Sequence, residues 1–287
     1  MQCTNPVHLK IDDIQFMSGK TGRVVPCGKC LACLSRRRAQ WSVRLEKELA
    51  VSSSAFFITL TYAEDCPTSV SKRDCQLFMK RLRKACEPYR LRYFLVSEYG
   101  TKSLRPHYHL ILFNFPREQY DLHSVLFAAW DKGFFAVGTV TSKSINYTTK
   151  YCLAVANLPS YLEKPFMLSS RRPGIGACYL SDAVLSYHRA GLVDYITKPD
   201  GVKVAMPQYY KDRIFDDAMK LAISEKNTAL LNDAVIDELE EDNEYQKENR
   251  KNVPRGTFIS VPSLHQQRVD DYERKQIANL TKNTKLS

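Results

Sequence analysis

"LRYFLVSEYGTKSLRPHYHLILFNF", Leu91 to Phe115, decides the fold. Two β-forming runs flank "GTKSLRP", whose Gly and Pro break regular structure, so the stretch reads as two strands joined by a turn. Successive side chains of a strand point to opposite faces. His107 and His109 therefore share a face, and Tyr108 points away from them. Two imidazoles about 7 Å apart by strand rise could converge on one ion. Satisfied histidines near a strand start are the other reading, and the spacing alone does not choose. Glu98, late in the preceding strand, would be carried beside the pair by the hairpin as a third ligand. Two His and one carboxylate leave coordination positions open for water or a phosphate oxygen.

Working outward, "AFFITLTY" (55–62) is apolar and β-branched enough for a buried strand. Ser71 followed by Asp74 is a capping-box signal. The segment after it places Cys75, Phe78, Met79, Leu82 and Cys86 on one helical stripe, with Lys80, Arg81, Arg83 and Lys84 largely outside it; Pro88 ends that helix. "REQYDLHSVLFAAW" reads as helix, "GFFAVGTV" as strand, and "SINYTTKYCLAVA" as a helix opened by Ser144 or Asn146. The order helix, strand, helix, strand, strand, helix, strand, helix is an α+β pattern: a central, mainly antiparallel sheet flanked by helices. Beyond it, "EKPFMLSSRRPGIGACYL" reads as a turn-rich link, 180–190 as helix, and 208–250 as a helical C-terminal region with a solvated acidic cluster from Asp237 to Glu244. The last thirty or so residues read as a polar tail. The expected organisation is a cysteine-containing segment and basic helix over 1–50, a core over 51–157, a turn-rich extension over 158–210 and a helical region over 211–287.

With 287 residues the chain can bury a large core, and its 44% hydrophobic and 25% charged composition excludes global disorder. Its formal charge is +11, and the distribution is uneven. Residues 1–150 carry 23 basic and 12 acidic side chains, while 151–287 carry 19 of each. A basic half joined to a neutral one points to a polyanion, nucleic acid before an acidic membrane surface. The start, "MQCTNPVHLKIDDIQF", lacks the pattern of a signal peptide, and no apolar run reaches membrane-spanning length. A cytoplasmic protein with reduced or metal-bound thiols is the expectation.

Cys27, Cys30 and Cys33 are each separated by two residues, and Cys3 is the candidate fourth ligand. Two thiolates at that spacing form a common zinc knuckle, because the short turn lets both sulfurs reach one tetrahedral ion. Buried free thiols at a helix start are the alternative. Trp41, Leu45 and Leu49 follow at helical spacing, with Arg36, Arg37, Arg38 and Arg44 available for a polar face.

Tyr147 and Tyr151 lie four apart on the last predicted core helix, with Lys150 between them. A phenol is a weak nucleophile at neutral pH; a nearby cation favours the phenolate, and a metal on the electrophile lowers the other side of the barrier. Paired tyrosines on a helix also serve as amphipathic packing.

In order and spacing, "FFITLTY", "RPHYHLILF" and "YTTKY" resemble the three motifs of the HUH endonucleases that start rolling-circle replication. "SEYG", "CGKCLAC" and "RRPGIG" are similar to segments of the replication initiators of microviruses, and the resemblance covers about residues 1–210. It implies an HUH endonuclease fold, with His107 and His109 as the metal pair and Tyr108 in the bulky place between them. Glu98 would be the additional ligand, Tyr147 and Tyr151 the paired nucleophiles, and Lys150 the lysine between them. Where related sequences carry another lysine one turn on, this chain has Ala154. The implied reaction is tyrosine attack on a phosphodiester of a single-stranded viral origin, leaving a 5′-phosphotyrosine and a free 3′-hydroxyl, then rejoining. Mg²⁺ or Mn²⁺ would be the cofactor, with Zn²⁺ at the cysteines. Host helicase and polymerase would be partners, in the host bacterial cytoplasm and without a membrane. Arg36, Arg37, Arg38, Arg44, Lys80, Arg81, Arg83, Lys84 and Arg105 are the candidate DNA contacts. Two other readings compete. A histidine-triad hydrolase would want a histidine where Ile111 stands, and a non-catalytic zinc-containing DNA-binding protein would use the His and Tyr pairs structurally.

Overall fold

A computed structural model describes residues 3, 5–9, 23–63, 67–100, 103–150 and 158–251, with scattered residues between 263 and 274. Tyr151 and Ala154 lie outside the described residues. The elements in chain order are β1 (Val7–Leu9), β2 (Arg23–Val25), α1 (Leu31–Val51), β3 (Ala55–Tyr62), α2 (Lys72–Ala85), β4 (Arg92–Tyr99), β5 (Pro106–Phe113), α3 (Leu122–Ala129), β6 (Gly133–Thr139), α4 (Ser142–Lys150), β7 (Met167–Ser169), α5 (Asp182–Gly191), β8 (Tyr195–Thr197), β9 (Lys203–Ala205), α6 (Gln208–Ile214) and α7 (Asp217–Lys251). The chain divides into two units, Met1–His188 with Val193–Ile214, and Arg189–Leu192 with Phe215–Ser287.

The first unit is built on a five-stranded sheet in the order β6-β3-β5-β4-β7, antiparallel at every pairing. Strand β5 is buried at every position except His107, as a strand covered on both faces must be, and it occupies the middle of the sheet. Its alternation divides two cores. Tyr108, Leu110 and Leu112 point into the larger one with Cys75, Phe78, Met79 and Leu82 of α2 and Leu122 and Leu126 of α3. Ile111 and Phe113, on the histidine face, join Phe94 and Val96 of β4, Leu45 of α1 and Ile145 of α4. Each large apolar side chain buried this way contributes roughly 1.5–3 kcal/mol.

Local chemistry fixes the helices at their starts. Ser71 caps α2 by accepting from the Asp74 N–H at 3.1 Å. The Asp74 carboxylate accepts from Tyr62 Oη (2.8 Å), Tyr62 and Tyr108 share a hydroxyl bond (2.9 Å), and the Ser71 N–H donates to Tyr108 Oη (2.7 Å). Tyr108 thus ties α2 to the central strand from the side opposite the histidines.

Helix α4 starts earlier than Ser144 or Asn146. Thr141 is its cap, in a reciprocal pair where the Thr141 N–H donates to Ser144 Oγ (2.7 Å) and the Ser144 N–H to Thr141 Oγ1 (3.3 Å). Serine fills the place usually held by Glu or Gln in a capping box. The link after 157 contributes β7, which pairs with β4 at Phe94↔Ser169. Three residues carry too little alternation to read as a strand; side-chain bonds set its register, Tyr93 N–H to Ser170 Oγ (3.1 Å) and Phe166 N–H to Ser97 Oγ (2.7 Å). The small β1-β2 and β8-β9 pairs are equally short.

Within the second unit, α7 begins after Asp216, whose carboxylate accepts from the Met219 N–H at 2.8 Å, so the helical reading of 208–250 is broken there. Asp237, Glu240, Glu241 and Glu244 are exposed. Leu264 N–H donates to Asp242 and Gln267 to Tyr245 Oη, linking α7 to the helical residues beyond 263.

Candidate active site

The histidine face of the sheet carries two rows of side chains. Thr61, His107 and Glu98 are cross-strand partners in one row, and Thr59, His109 and Val96 in the next. Glu98 sits opposite His107 yet reaches diagonally to His109, whose Nε2 lies 2.8 Å from Oε2. His109 Nδ1 faces Thr59 Oγ1 at 3.2 Å. His107 Nδ1 donates to the Arg105 carbonyl at 2.8 Å, which in the neutral ring leaves Nε2 as the lone-pair nitrogen. Each imidazole therefore has Nδ1 engaged by an oxygen, the arrangement by which metal-binding histidines are oriented. Gly100, in "SEYG", keeps space beside the ring: a Cβ there would lie 3.3 Å from His107 Cε1.

Tyr147 of α4 is 41% exposed and stands over this face. Its ring meets His109 edge-on, with centroids 5.1 Å apart, and Phe57 edge-on at 6.2 Å. Phe57 in turn stacks on His109 at 5.6 Å with 10° between planes. Thr59 and Phe57 were not among the residues the sequence singled out; once β3 pairs antiparallel with β5, both fall on the histidine face. Lys150, the last residue of α4, is half-buried. Helix α4 is held from behind by α1, where Ser42 Oγ shares a hydrogen bond with Thr149 Oγ1 (3.2 Å) and donates to Asn146 Oδ1 (3.4 Å).

The basic candidates separate by sheet face. Lys80, Arg81, Arg83 and Lys84 lie on α2, which covers the face opposite the histidines. Arg81 is further tied to Asp131 (2.7 Å) and to the Ala129 carbonyl, and its guanidinium holds the Asp131 carboxyl below the usual range. Arg83 lies over the Tyr93 ring. Arg36, Arg37, Arg38 and Arg44 are on α1, which covers the histidine face. Arg44 is sandwiched between Trp41 and Tyr209, at 4.1 and 4.0 Å, and donates to the Ile175 carbonyl. Arg36 and Arg37 are exposed. Arg38 is partly buried, which lowers its basicity, and forms no hydrogen bond or ion pair among the described residues. Arg105 donates to the Tyr62 and Ala63 carbonyls (2.8 and 3.0 Å), pinning the start of β5 to the end of β3 beside His107.

Among the described residues, the one group of three or more ligand-type side chains gathered at ion-binding distance is Cys3, Cys27, Cys30 and Cys33, with sulfurs within 4.8 Å of one another. This cluster could hold a metal such as zinc. Burial pushes the Cys33 thiol up to about 12, whereas hydrogen bonds from the Lys29 and Cys30 N–H groups lower that of Cys27.

The sequence profile of the replication-associated protein ORF2 family matches residues 55–155, which run from the first residue of β3 to just past α4 and take in Glu98, both histidines and Tyr147. Replication-associated protein ORF2 of Spiroplasma virus 4 is 27% identical over 290 residues, covering 90% of this chain and 83% of its own length. The chain belongs with the phage replication-associated proteins of microvirus type. Replication-associated protein VP4 of Bdellovibrio phage phiMH2K is 27% identical over 245 residues, covering 74% of this chain and 76% of its own. Replication-associated protein ORF4 of Chlamydia phage 1 is 25% identical over 210 residues, 66% and 53% of the two chains. No solved structure matches the chain. The antiparallel α+β core of this replication-associated protein is consistent with an HUH-like fold, and no described helix is long and apolar enough to cross a membrane.

Proposed function

We propose that this phage replication initiator is a metal-dependent endonuclease that nicks a single-stranded viral origin with Tyr147. The observation that carries the reading is the shared sheet face on which both imidazoles have Nδ1 bound to an oxygen while the Tyr147 ring rests on His109. The donor set fits a divalent cation. His109 Nε2 and Glu98 Oε2 already converge, and His107 offers a lone-pair nitrogen from the row beside them. Replacing the His109–Glu98 hydrogen bond by coordination moves the His109 proton to Nδ1, where Thr59 Oγ1 accepts it. Mg²⁺ or Mn²⁺ held by His107, His109 and Glu98 would supply a Lewis acid to a non-bridging oxygen of the scissile phosphate.

The chain's own residues do the rest. Tyr147 Oη forms a bond to phosphorus as the P–O3′ bond breaks, giving a 5′-phosphotyrosine. The phenolic proton leaves to solvent, to which this side chain is open, and the 3′ oxygen takes one up. Lys150, one helical turn on, supplies the nearby cation that favours the phenolate. Because the ester retains the bond energy, a later attack by a 3′-hydroxyl rejoins the strand without ATP. Tyr151, outside the described residues, would serve as the second nucleophile on the strength of the motif resemblance, and host helicase and polymerase would act on the exposed end in the bacterial cytoplasm.

The test is a labelled single strand containing the origin, incubated with Mn²⁺ and wild-type, Tyr147→Phe, Tyr151→Phe or doubly substituted protein. A metal-dependent covalent adduct that the double substitution abolishes is expected. A wild type that binds the origin and forms no adduct with any divalent metal returns the chain to non-catalytic DNA binding.

A further inference from the structure

We propose that the four cysteines hold a structural zinc ion whose role is to seat α1, and through α1 the helix that carries Tyr147. The geometry is that of a tetrahedral thiolate site. A Zn–S bond of about 2.3 Å requires sulfurs about 3.8 Å apart. The Cys27–Cys33 and Cys30–Cys3 pairs stand at 4.0 and 3.7 Å. All four are free cysteines, and the Cys27 sulfur already accepts two backbone N–H groups, as a thiolate ligand does.

The ligands come from places that otherwise share little. Cys3 precedes β1, Cys27 and Cys30 form the turn after β2, and Cys33 lies in the first turn of α1. Helix α1 opens without a side-chain cap and without an acidic residue in its first turn, so the two stabilisers a helix start normally has are missing. An ion bound to Cys30 and Cys33 substitutes for them, and its bond to Cys3 fastens the β1 end of the chain to the same point.

That helix is also the support of α4. Ser42 sits nine residues after Cys33 and meets Asn146 and Thr149, and Leu45 shares the buried cluster of Ile145. Asn146 and Thr149 flank Tyr147 in the chain. A change in the seating of α1 therefore reaches the nucleophile's helix directly, whereas α2, on the other sheet face, lies outside that chain of contacts. The meaning for catalysis rests on the nuclease reading given above; the coupling itself does not.

The experiment uses the full-length protein and no DNA. Metal analysis is expected to find one zinc per chain, and cobalt substitution to give the intense visible bands of a tetrahedral thiolate site. Hydrogen exchange is then compared with and without the ion, removed by a strong chelator or by Cys27→Ser. Exchange should rise at least tenfold in 31–50 and in 142–150, with 72–85 unchanged. Ser42→Ala should keep the ion and loosen 142–150 alone. A chain without zinc or a cobalt spectrum overturns the proposal. So does metal loss that leaves 142–150 unchanged, or that loosens 72–85 equally, since the ion would then act only locally or on the whole domain. None of these readouts involves cleavage, so a failure of the nuclease reading leaves them separately interpretable.

Discussion

The Tyr147 ring meets the His109 imidazole edge-on, 5.1 Å between centroids and 79° between planes, so the candidate nucleophile and a candidate ligand are in direct contact. Because Thr59 engages the other nitrogen of the same ring, orientation of His109 depends on a residue that touches neither phosphate nor ion. Thr59→Val should keep the fold and lower Mn²⁺ affinity about 10–100-fold, the usual cost of losing such a partner. Isothermal titration with Mn²⁺ measures this, and an unchanged affinity would remove Thr59 from the site.

The basic residues make a second, graded expectation. Arg38 lies on the helix covering the histidine face and has no acceptor among the described residues; Arg81 lies on the opposite face and is paired with Asp131. Arg38→Ala should weaken single-strand binding and reduce the slope of log K against log salt by roughly 0.7, one phosphate contact. Arg81→Ala should leave that slope alone. Equal slopes for both variants would place the DNA elsewhere.

Much of this was legible from periodicity. The hairpin of β4 and β5 follows from two apolar runs around a Gly- and Pro-containing turn, and the Ser71 cap from its Asp74 partner. The pairing of Glu98 with the histidines follows from the hairpin, though which histidine it meets was settled by a diagonal reach no pattern encodes. Phe57, Thr59 and Ser42 escaped because their place depends on partners far along the chain: β3 on β5, and α1 on α4. Strand β7 and the role of "RRPGIG" escaped for the same reason. That segment is held by Glu48, which accepts from the Gly176 N–H, and by Arg92, which donates to the Pro173 and Gly174 carbonyls. Gly176 itself takes a φ of +76°, and a Cβ there would lie 2.7 Å from the Arg44 carbonyl oxygen.

Glu48 and Arg92 form a bidentate ion pair, with the Glu48 side chain only 4% exposed. Removing one charge from a buried pair leaves the other uncompensated, at a cost of about 3–5 kcal/mol. Glu48→Gln should therefore lower the urea midpoint by that equivalent, with Arg92→Met in the same background recovering part of the loss. A single substitution costing under about 1 kcal/mol would mean that the pair is solvated.

On the other face of the sheet, Tyr62, Tyr108 and Asp74 predict how the domain fails in alkali. Burial pushes the Tyr108 phenol up to about 12, and burial with hydrogen bonds to Tyr108 and Asp74 pushes Tyr62 higher still. An unfolded tyrosine ionises near 10. Between those values the unfolded chain has released protons that the folded one keeps, so the contribution of both phenols is fully present below pH 10 and is lost as pH rises through about 12. Denaturant midpoints should be flat in this respect up to pH 9.5 and decline steeply above 10. In a spectrophotometric titration at 295 nm, the signal of these two phenols should appear only with unfolding. Tyr108→Phe removes one of the two and strands the Ser71 N–H, so it should lower stability at neutral pH by about 1–3 kcal/mol while flattening the alkaline decline. If both phenols titrate near 10 with the domain still folded, the network is open to solvent and the anchoring of α2 through Tyr108 fails with it.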